Sequence, residues 1–326
     1  MDGPGLLVIF TEGDLVRGLG HVSRCSAYAQ GWLERGGQVG WVLDGDDAAE
    51  RMTGAASAVR RARWQDGADM ASAEFPAEVA LVDTYCAPSA VLGRIAATAG
   101  VTIYIDDLRG TYPAGLVVHA APDPAPLTSD GSWLEGPGWQ PLRRPFWDIE
   151  PRGSVRPEVD RVMVVIGAGD VRGIGAAMAG LASEVYRDAH VDLVLAPGQP
   201  EPESSSRLTV HRSLDAAAMA NLMQQADVAI SGAGQAVFEL ARCGTPTLMV
   251  GIADNQQANL DHWPDLCGFI NAGHWDEEGL AERVRAGLAG LKPDAVRQDI
   301  SDRAAAIVDG QGVRRLFDRL TRLREG

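Results

Sequence analysis

A chain of 326 residues is too long for one ordinary hydrophobic core and has room for two domains of about 150 residues each. With 46% apolar and 22% charged residues it has the composition of a globular protein, which excludes extended disorder. The net charge of −15 argues against nucleic acid or an anionic membrane as the main partner, because phosphate groups need a basic face, yet it leaves room for a small anion in a local pocket.

Strand and helix signals alternate along the chain. "LLVIF" (6–10) reads as a buried strand, after which Val22, Cys25, Ala29, Trp32 and Leu33 recur at helical spacing until Gly36-Gly37. "QVGWVL" (38–43), "VALVDTY" (79–85) and "VTIYIDDL" (101–108) are further strands whose apolar runs end in polar residues, the pattern of parallel strands covered on both faces. Residues 109–157 are rich in Pro, Gly and Trp without a period and read as a long connection. A second series follows: "RVMVVIGAGD" (161–170), "VDLVLAP" (191–197), "LTVH" (208–211), "ADVAIS" (226–231) and "TPTLMV" (245–250), then three helical segments from about Asp276 to Arg324. The expected fold is α/β, with two Rossmann-like doubly wound domains, 1–150 and 151–326, facing each other across a cleft and the last helix packing back on the first domain.

Cys25, Cys86, Cys243 and Cys267 form no C-x-x-C pair, which fits a reducing compartment and gives no metal-finger spacing. The opening "MDGPGLLVIFTEGD" has no basic segment, and its short apolar run fits neither a signal peptide nor a membrane span, so a cytoplasmic location is expected. Lys292 is the only lysine, so 29 minus 1 leaves 28 arginines.

Three stretches have the residue types that chemistry needs. In "RGLGHVSRC" (17–25), Gly18 and Gly20 let the backbone approach a ligand where a strand gives way to a helix, and His21 stands at the helix start as a side chain suited to proton transfer near neutral pH. A capping or solvated histidine is the plainer alternative. In "ISGAGQAVFELARCGTPTLMVGIADNQQANLDHW" (230–263), the turn at Ser231, Gly232, Gly234 and Gln235 offers amides to a diphosphate, and Glu239 offers a carboxylate to a ribose. Asn255, Gln256 and Asn259 follow with amides for sugar hydroxyls; the plainer reading makes Glu239 a surface charge and Asn255 a helix cap. "VIGAGD" (165–170), with Gly167 and Gly169, is a second phosphate-facing loop or a tight connection in which Asp170 caps a helix. Asp83, Asp106 and Asp107 fall at strand ends, where ligand-facing residues belong. Nothing fixes their separation, so no metal or glycosidase acid/base pair is assigned to them.

These motifs, in this order over roughly residues 6–290, resemble GT-B nucleotide-sugar enzymes. They are most similar to the UDP-sugar hydrolase of pseudaminic acid biosynthesis (the UDP-2,4-diacetamido-2,4,6-trideoxy-altropyranose hydrolase) and to its spore-coat polysaccharide glycosyltransferase-like relatives. The carrying stretches are "GLGHVSRCSAYAQGW", "LVDTY", "YIDD", "PLRRPFW", "VIGAGD" and "ANLMQQADVAISGAGQAVFELARCGTPTLMV" with "DNQQAN". The resemblance implies His21 as catalytic base or water-positioning group with Arg24 beside it, Asp83 and Tyr85 as ligand-facing residues, and Ser231, Gly232, Gly234 and Gln235 around the diphosphate. It further implies Glu239 on the ribose, the backbone of His211 and Arg212 at the base, and Asn255 and Gln256 near the sugar. Departures are "FTEGDLV" where an R-x-D pattern is usual, Thr84 where His or Ser is common, and "GAGD" for a G-G-x-D loop.

The implied reaction is cleavage of the anomeric C–O bond of a nucleoside diphosphate sugar with inversion. Uridine is the expected base by resemblance, and neither a metal nor a cofactor is required. With water as nucleophile the enzyme is a hydrolase, the favoured reading; with a sugar, lipid or natural-product hydroxyl or amine it is a glycosyltransferase, for which Trp133, Trp139 and Trp147 offer acceptor-lining candidates. A non-catalytic nucleotide-sugar binding protein is a lesser alternative. An NAD oxidoreductase is more distant, because no G-x-G-x-x-G follows the first strand.

Overall fold

The computed structural model describes residues 4–54, 58–67, 77–122, 131–150, 152–167, 170, 172–196, 198–200, 202–203 and 205–325. The chain divides into two compact units, Met1–Arg144 with Gln311–Gly326, and Pro145–Gly310.

The first unit carries a seven-stranded sheet in the order β3-β2-β1-β4-β5-β6-β7. Its elements are β1 (Leu6–Gly13), α1 (Gly20–Glu34), β2 (Gln38–Gly45), α2 (Asp47–Arg51), β3 (Ala58–Arg61), β4 (Val79–Asp83), α3 (Ser89–Thr98), β5 (Val101–Asp106), β6 (Leu116–His119) and β7 (Trp133–Glu135). Every pairing is parallel. In β1 each residue after Leu6 is buried, as a parallel strand covered on both faces requires. The register sets Thr11 beside Asp83 and Asp83 beside Ile105, so the carboxyl ends of β1, β4 and β5 adjoin. Val8, Phe10, Val42, Trp64, Val91 and Tyr104 belong to one buried cluster, with the Phe10 and Trp64 rings edge-on at 5.6 Å.

The second unit has a six-stranded parallel sheet in the order β10-β9-β8-β11-β12-β13. It runs β8 (Arg161–Val165), α4 (Gly175–Val185), β9 (His190–Leu195), β10 (Leu208–Arg212), α5 (Ala216–Gln225), β11 (Val228–Gly232), α6 (Ala236–Arg242), β12 (Thr247–Gly251), α7 (Gln257–Cys267), β13 (Ile270–His274), α8 (Leu280–Gly290) and α9 (Asp294–Ile307). The last helix, α10 (Gly312–Glu325), belongs to the first unit, where Phe317 stacks edge-on against Trp32 of α1 at 5.0 Å.

The segment 109–157 departs from the expectation of a structureless connection. β6 and β7 lie inside it and complete the first sheet; they escaped notice because they have only 4 and 3 residues, too few for a period to show. The start of the second unit is fastened by arginine forks on backbone carbonyls. Arg242 Nε donates to the Phe146 carbonyl at 3.0 Å and Nη2 to that of Trp147 at 3.3 Å, while Arg297 bonds the carbonyls of Arg156 at 3.0 Å and Pro157 at 2.8 Å. A planar guanidinium reaches two such acceptors at once, which an ammonium does not do with fixed geometry. Trp147 is core of the second unit, while in the first unit Trp133 lies in β7 near the Tyr112 and His119 rings and Trp139 lies under the Arg315 guanidinium at 5.7 Å. Among the described residues no helix is long and apolar enough to cross a membrane.

Candidate functional site

At the carboxyl edge of the first sheet, β1 leaves into a stapled loop. Asp14 and Gly18 bond each other's backbone at 2.9 and 3.3 Å, and Gly18 turns the chain with φ +98, a conformation open to glycine at no cost. The Asp14 carboxylate accepts from the amides of Val16 at 2.8 Å and Arg17 at 2.6 Å, while the Arg17 guanidinium ties Asp14 to Asp44. This polar frame holds Leu15 and Val16 outward, 66% and 88% exposed. Leu108, after β5 on the same edge, is exposed too.

Gly20 opens α1 and His21 is its second residue. The His21 ring stands edge-on to Tyr85 at 4.4 Å between centroids, with Nδ1 4.0 Å from Asp83 Oδ1. One turn on, Arg24 is buried and doubly engaged. Its Nε and Nη2 bond Asp83 at 2.5 and 2.6 Å, and its Nη1 bonds both oxygens of Asp107 at 2.9 and 2.7 Å. The Tyr85 hydroxyl closes the array by donating to Asp107. His21, Arg24, Asp83 and Tyr85 therefore lie together, joined by Asp107.

The electrostatics follow from burial and pairing. Burial opposes the charge on Asp83, but Arg24 and then His21 outweigh it and hold the carboxyl below its ordinary value. Burial likewise opposes the Arg24 charge, and Asp107 and Asp83 drive its pKa well above the usual arginine value. Two carboxylates thus share one guanidinium in this array. Cys25, 3.6 Å from Asp83, is pushed well up by burial and by that carboxylate, and stays a thiol.

Two further buried carboxylates, Glu12 and the strand-end candidate Asp106, are engaged in structural hydrogen bonds. Glu12, at the end of β1, accepts from the Gln65 amide, from Thr84 Oγ1 at 3.0 Å and from the Tyr85 amide at 3.3 Å. The departures "FTEGD" and Thr84 are thus bonded to one another, a coupling that no local pattern signals. Asp106 accepts from the amides of Arg109 at 2.8 Å and Gly110 at 2.9 Å and from the Tyr112 hydroxyl at 2.6 Å, and pairs with His119 at 2.6 Å. Burial opposes its charge, yet these partners hold its pKa at about 2. It shapes the loop that presents Asp107.

At the carboxyl edge of the second sheet three loops interlock. Gly232 lies so close to the Ile166 carbonyl that a Cβ would run into it, which restricts the position to glycine. Ser231 is buried with its hydroxyl on the Gly232 carbonyl at 3.0 Å, and Gln235 directly precedes α6. Gln256 accepts from the Ile252 amide at 2.9 Å, and its amide nitrogen lies 3.2 Å from where a Cβ on Gly234 would stand. Asn259 donates to the Ala233 carbonyl at 2.8 Å and accepts from Trp263. Gly167 faces Ile252, and Gly169 lies outside the described residues. Ser231, Gly232, Gly234, Gln256, Asn259 and Gly167 are therefore brought to one edge.

Other sequence candidates have mixed placements. Glu239 is buried in the first turn of α6, so it is not a surface charge. Asn255 sits in the 3-10 turn Asp254–Gln256, which has no side-chain cap. Asp170 accepts from the amides of Ile174 at 3.1 Å and Gly175 at 2.8 Å but is not the N-cap of α4, a position Ile174 holds. On the edge strand β10, the His211 ring is paired to Asp192 at 2.8 Å, and Arg212 bonds the carbonyls of Ala196 at 2.6 Å and Gln199 at 2.7 Å. Both side chains are thus occupied with strand β9 and the loop after it.

No family model matches the chain, and no curated protein matches it in sequence. Solved structures do. The glycotransferase of kitacinnamycin is 16% identical over 99% of this chain and 99% of its own, with a TM-score of 0.66. MurG of Acinetobacter baumannii is 13% identical over 98% and 99%, with a TM-score of 0.67. The spinosyn rhamnosyltransferase SpnG is 14% identical over 96% and 99%, with a TM-score of 0.65, and was also solved with thymidine diphosphate and with the spinosyn aglycone. Likeness across nearly the whole of both chains, with two all-parallel α/β units, shows the fold: this chain has the GT-B architecture of glycosyltransferases.

Proposed function

We propose that the protein is an inverting glycosyltransferase that moves a sugar from a nucleoside diphosphate to a hydroxyl or amine of an apolar small-molecule acceptor. The observation that carries the reading is the first sheet's edge, where His21 is backed by the Arg24-Asp83-Asp107 array while a stapled loop offers Leu15 and Val16 to solvent. An attacking water needs no apolar surface, whereas an acceptor covers it. The glycosyltransferases that share the fold support the same preference over hydrolysis.

In this reading the nucleotide is held by the second unit, with the Ser231–Gln235 turn on the diphosphate, Glu239 on the ribose and Asn255, Gln256 and Asn259 serving the sugar. His21 Nδ1 lies on the Asp83 side, 4.0 Å from Oδ1, and Nε2 serves the acceptor. The acceptor hydroxyl loses its proton to Nε2, its oxygen attacks the anomeric carbon, and the C–O bond to the diphosphate breaks. Asp83 and Asp107 are both chelated by Arg24, so neither serves as a covalent nucleophile and a single displacement inverts the configuration.

The test is nucleotide release (UDP, dTDP or CMP) from UDP-, dTDP- and CMP-sugars with and without a panel of apolar hydroxyl acceptors. Release that depends on acceptor and vanishes in His21→Ala supports the transferase. Fast release without acceptor returns the reading to a sugar-nucleotide hydrolase, and release indifferent to His21→Ala removes His21 from the mechanism.

A further inference from the structure

A leaving diphosphate gains negative charge, which a positive side chain beside it stabilises. Arg212 is spent on two carbonyls, and the amides of Gln256 and Asn259 bring no charge. Arg172, on the loop after β8, is different. Its Nε rests on the Ile252 carbonyl at 3.4 Å, and its guanidinium carbon lies over the Trp275 ring, 4.8 Å from the centroid. Trp275 is itself anchored by its amide on the Gly251 carbonyl at 2.9 Å. Neither Nη of Arg172 makes a hydrogen bond among the described residues.

The anchor point matters. Ile252 is where the three loops meet, since Gly167 faces its side chain and Gln256, which reaches toward Gly234, accepts from its amide. A cation–π contact with an indole holds a guanidinium in place without consuming its donors. The result is a cation held at the junction with two NH2 groups unspent, the geometry for bidentate binding of a phosphate.

Resting on the reading that this unit binds a nucleoside diphosphate sugar, we infer that Arg172 is the side chain that binds the diphosphate and so sets the preference for diphosphates over monophosphates and nucleosides. Trp275 is its positioning residue.

The experiment is calorimetric binding of uridine, UMP and UDP, and of the matching thymidine series, to the full chain, comparing wild type with Arg172→Ala, Arg172→Lys and Trp275→Leu. Arg172→Ala is expected to weaken UDP or dTDP binding by about tenfold while leaving the nucleoside unchanged, the size of one lost charge-assisted contact. Arg172→Lys restores part of the loss, because the charge returns without the fork, and Trp275→Leu gives a smaller loss in the same direction. Unchanged nucleoside affinity in the variants shows that they are folded. A diphosphate-to-nucleoside ratio that is the same in wild type and Arg172→Ala overturns the inference alone. If wild type binds none of the six probes, the nucleotide reading of this unit falls and the inference falls with it.

Discussion

The carboxyl edges of the two sheets are built from opposite materials. At the first, Glu12, Arg24, Asp83, Asp106 and Asp107 are buried or half-buried ions tied to one another and to backbone amides around His21. At the second, glycines, a buried serine and side-chain amides interlock loop with loop, and Arg172 is exposed with its Nη groups unbonded among the described residues. In the proposed reaction a proton acceptor at the first edge must keep one orientation and one electrostatic setting, which a rigid ion network supplies at a cost in desolvation. A nucleotide must be approached closely by backbone, which glycines allow. Changes at the first edge should therefore strike stability and rate, and changes at the second should strike affinity.

The severest break is Asp83→Ala, which leaves Arg24 buried with half its partners. A loss of about 3 kcal/mol in unfolding free energy is expected, together with loss of transfer activity, read by denaturant titration and turnover. A change below about 1 kcal/mol would mean the array is not the brace described here. Next, His21→Ala should lower the transfer rate by about 10²- to 10⁴-fold with unchanged UDP or dTDP affinity, separating rate from binding. A parallel loss of affinity would undo the division between the edges.

At the second edge, Gly232→Ala forces a methyl against the Ile166 carbonyl. It should cost about 1–3 kcal/mol of stability and weaken the nucleotide while sparing turnover at saturation. Acidification probes the first edge from another side. The pKa of Asp106 is about 2 in the folded protein, below the roughly 3.9 of an unfolded aspartate, so its contribution is complete above about pH 4 and drains away as pH falls toward 2. Asp83 is shifted in the same direction. Melting temperatures across that window should fall less steeply in Asp106→Asn than in wild type; equal slopes would dismiss the His119, Tyr112 and amide cradle as the cause. The smallest effect is Leu15→Ser with Val16→Ser, expected to raise KM for an apolar acceptor by about three- to tenfold with no change in thermal stability. An unchanged KM would leave the exposed pair without a role in acceptor binding.

Local pattern by itself determined the parallel α/β layout. Runs such as "LLVIF" and "VALVD", alternating with amphipathic helices, are consistent with few other layered architectures, since doubly covered strands need crossovers. It also placed His21 at a helix start and glycines at strand ends, because turn chemistry depends on adjacent residues. Strands β3, β6, β7 and β13, of 4, 4, 3 and 5 residues, were not legible: their strand state comes from the neighbour they pair with rather than from their own period. Only tertiary structure decided that Glu12 meets Thr84, that Arg24 divides itself between Asp83 and Asp107, and that Arg172 rests between Trp275 and Ile252. Those partners lie 72, 59, 83, 103 and 80 residues apart, and burial and charge balance across such distances are set by how the chain packs.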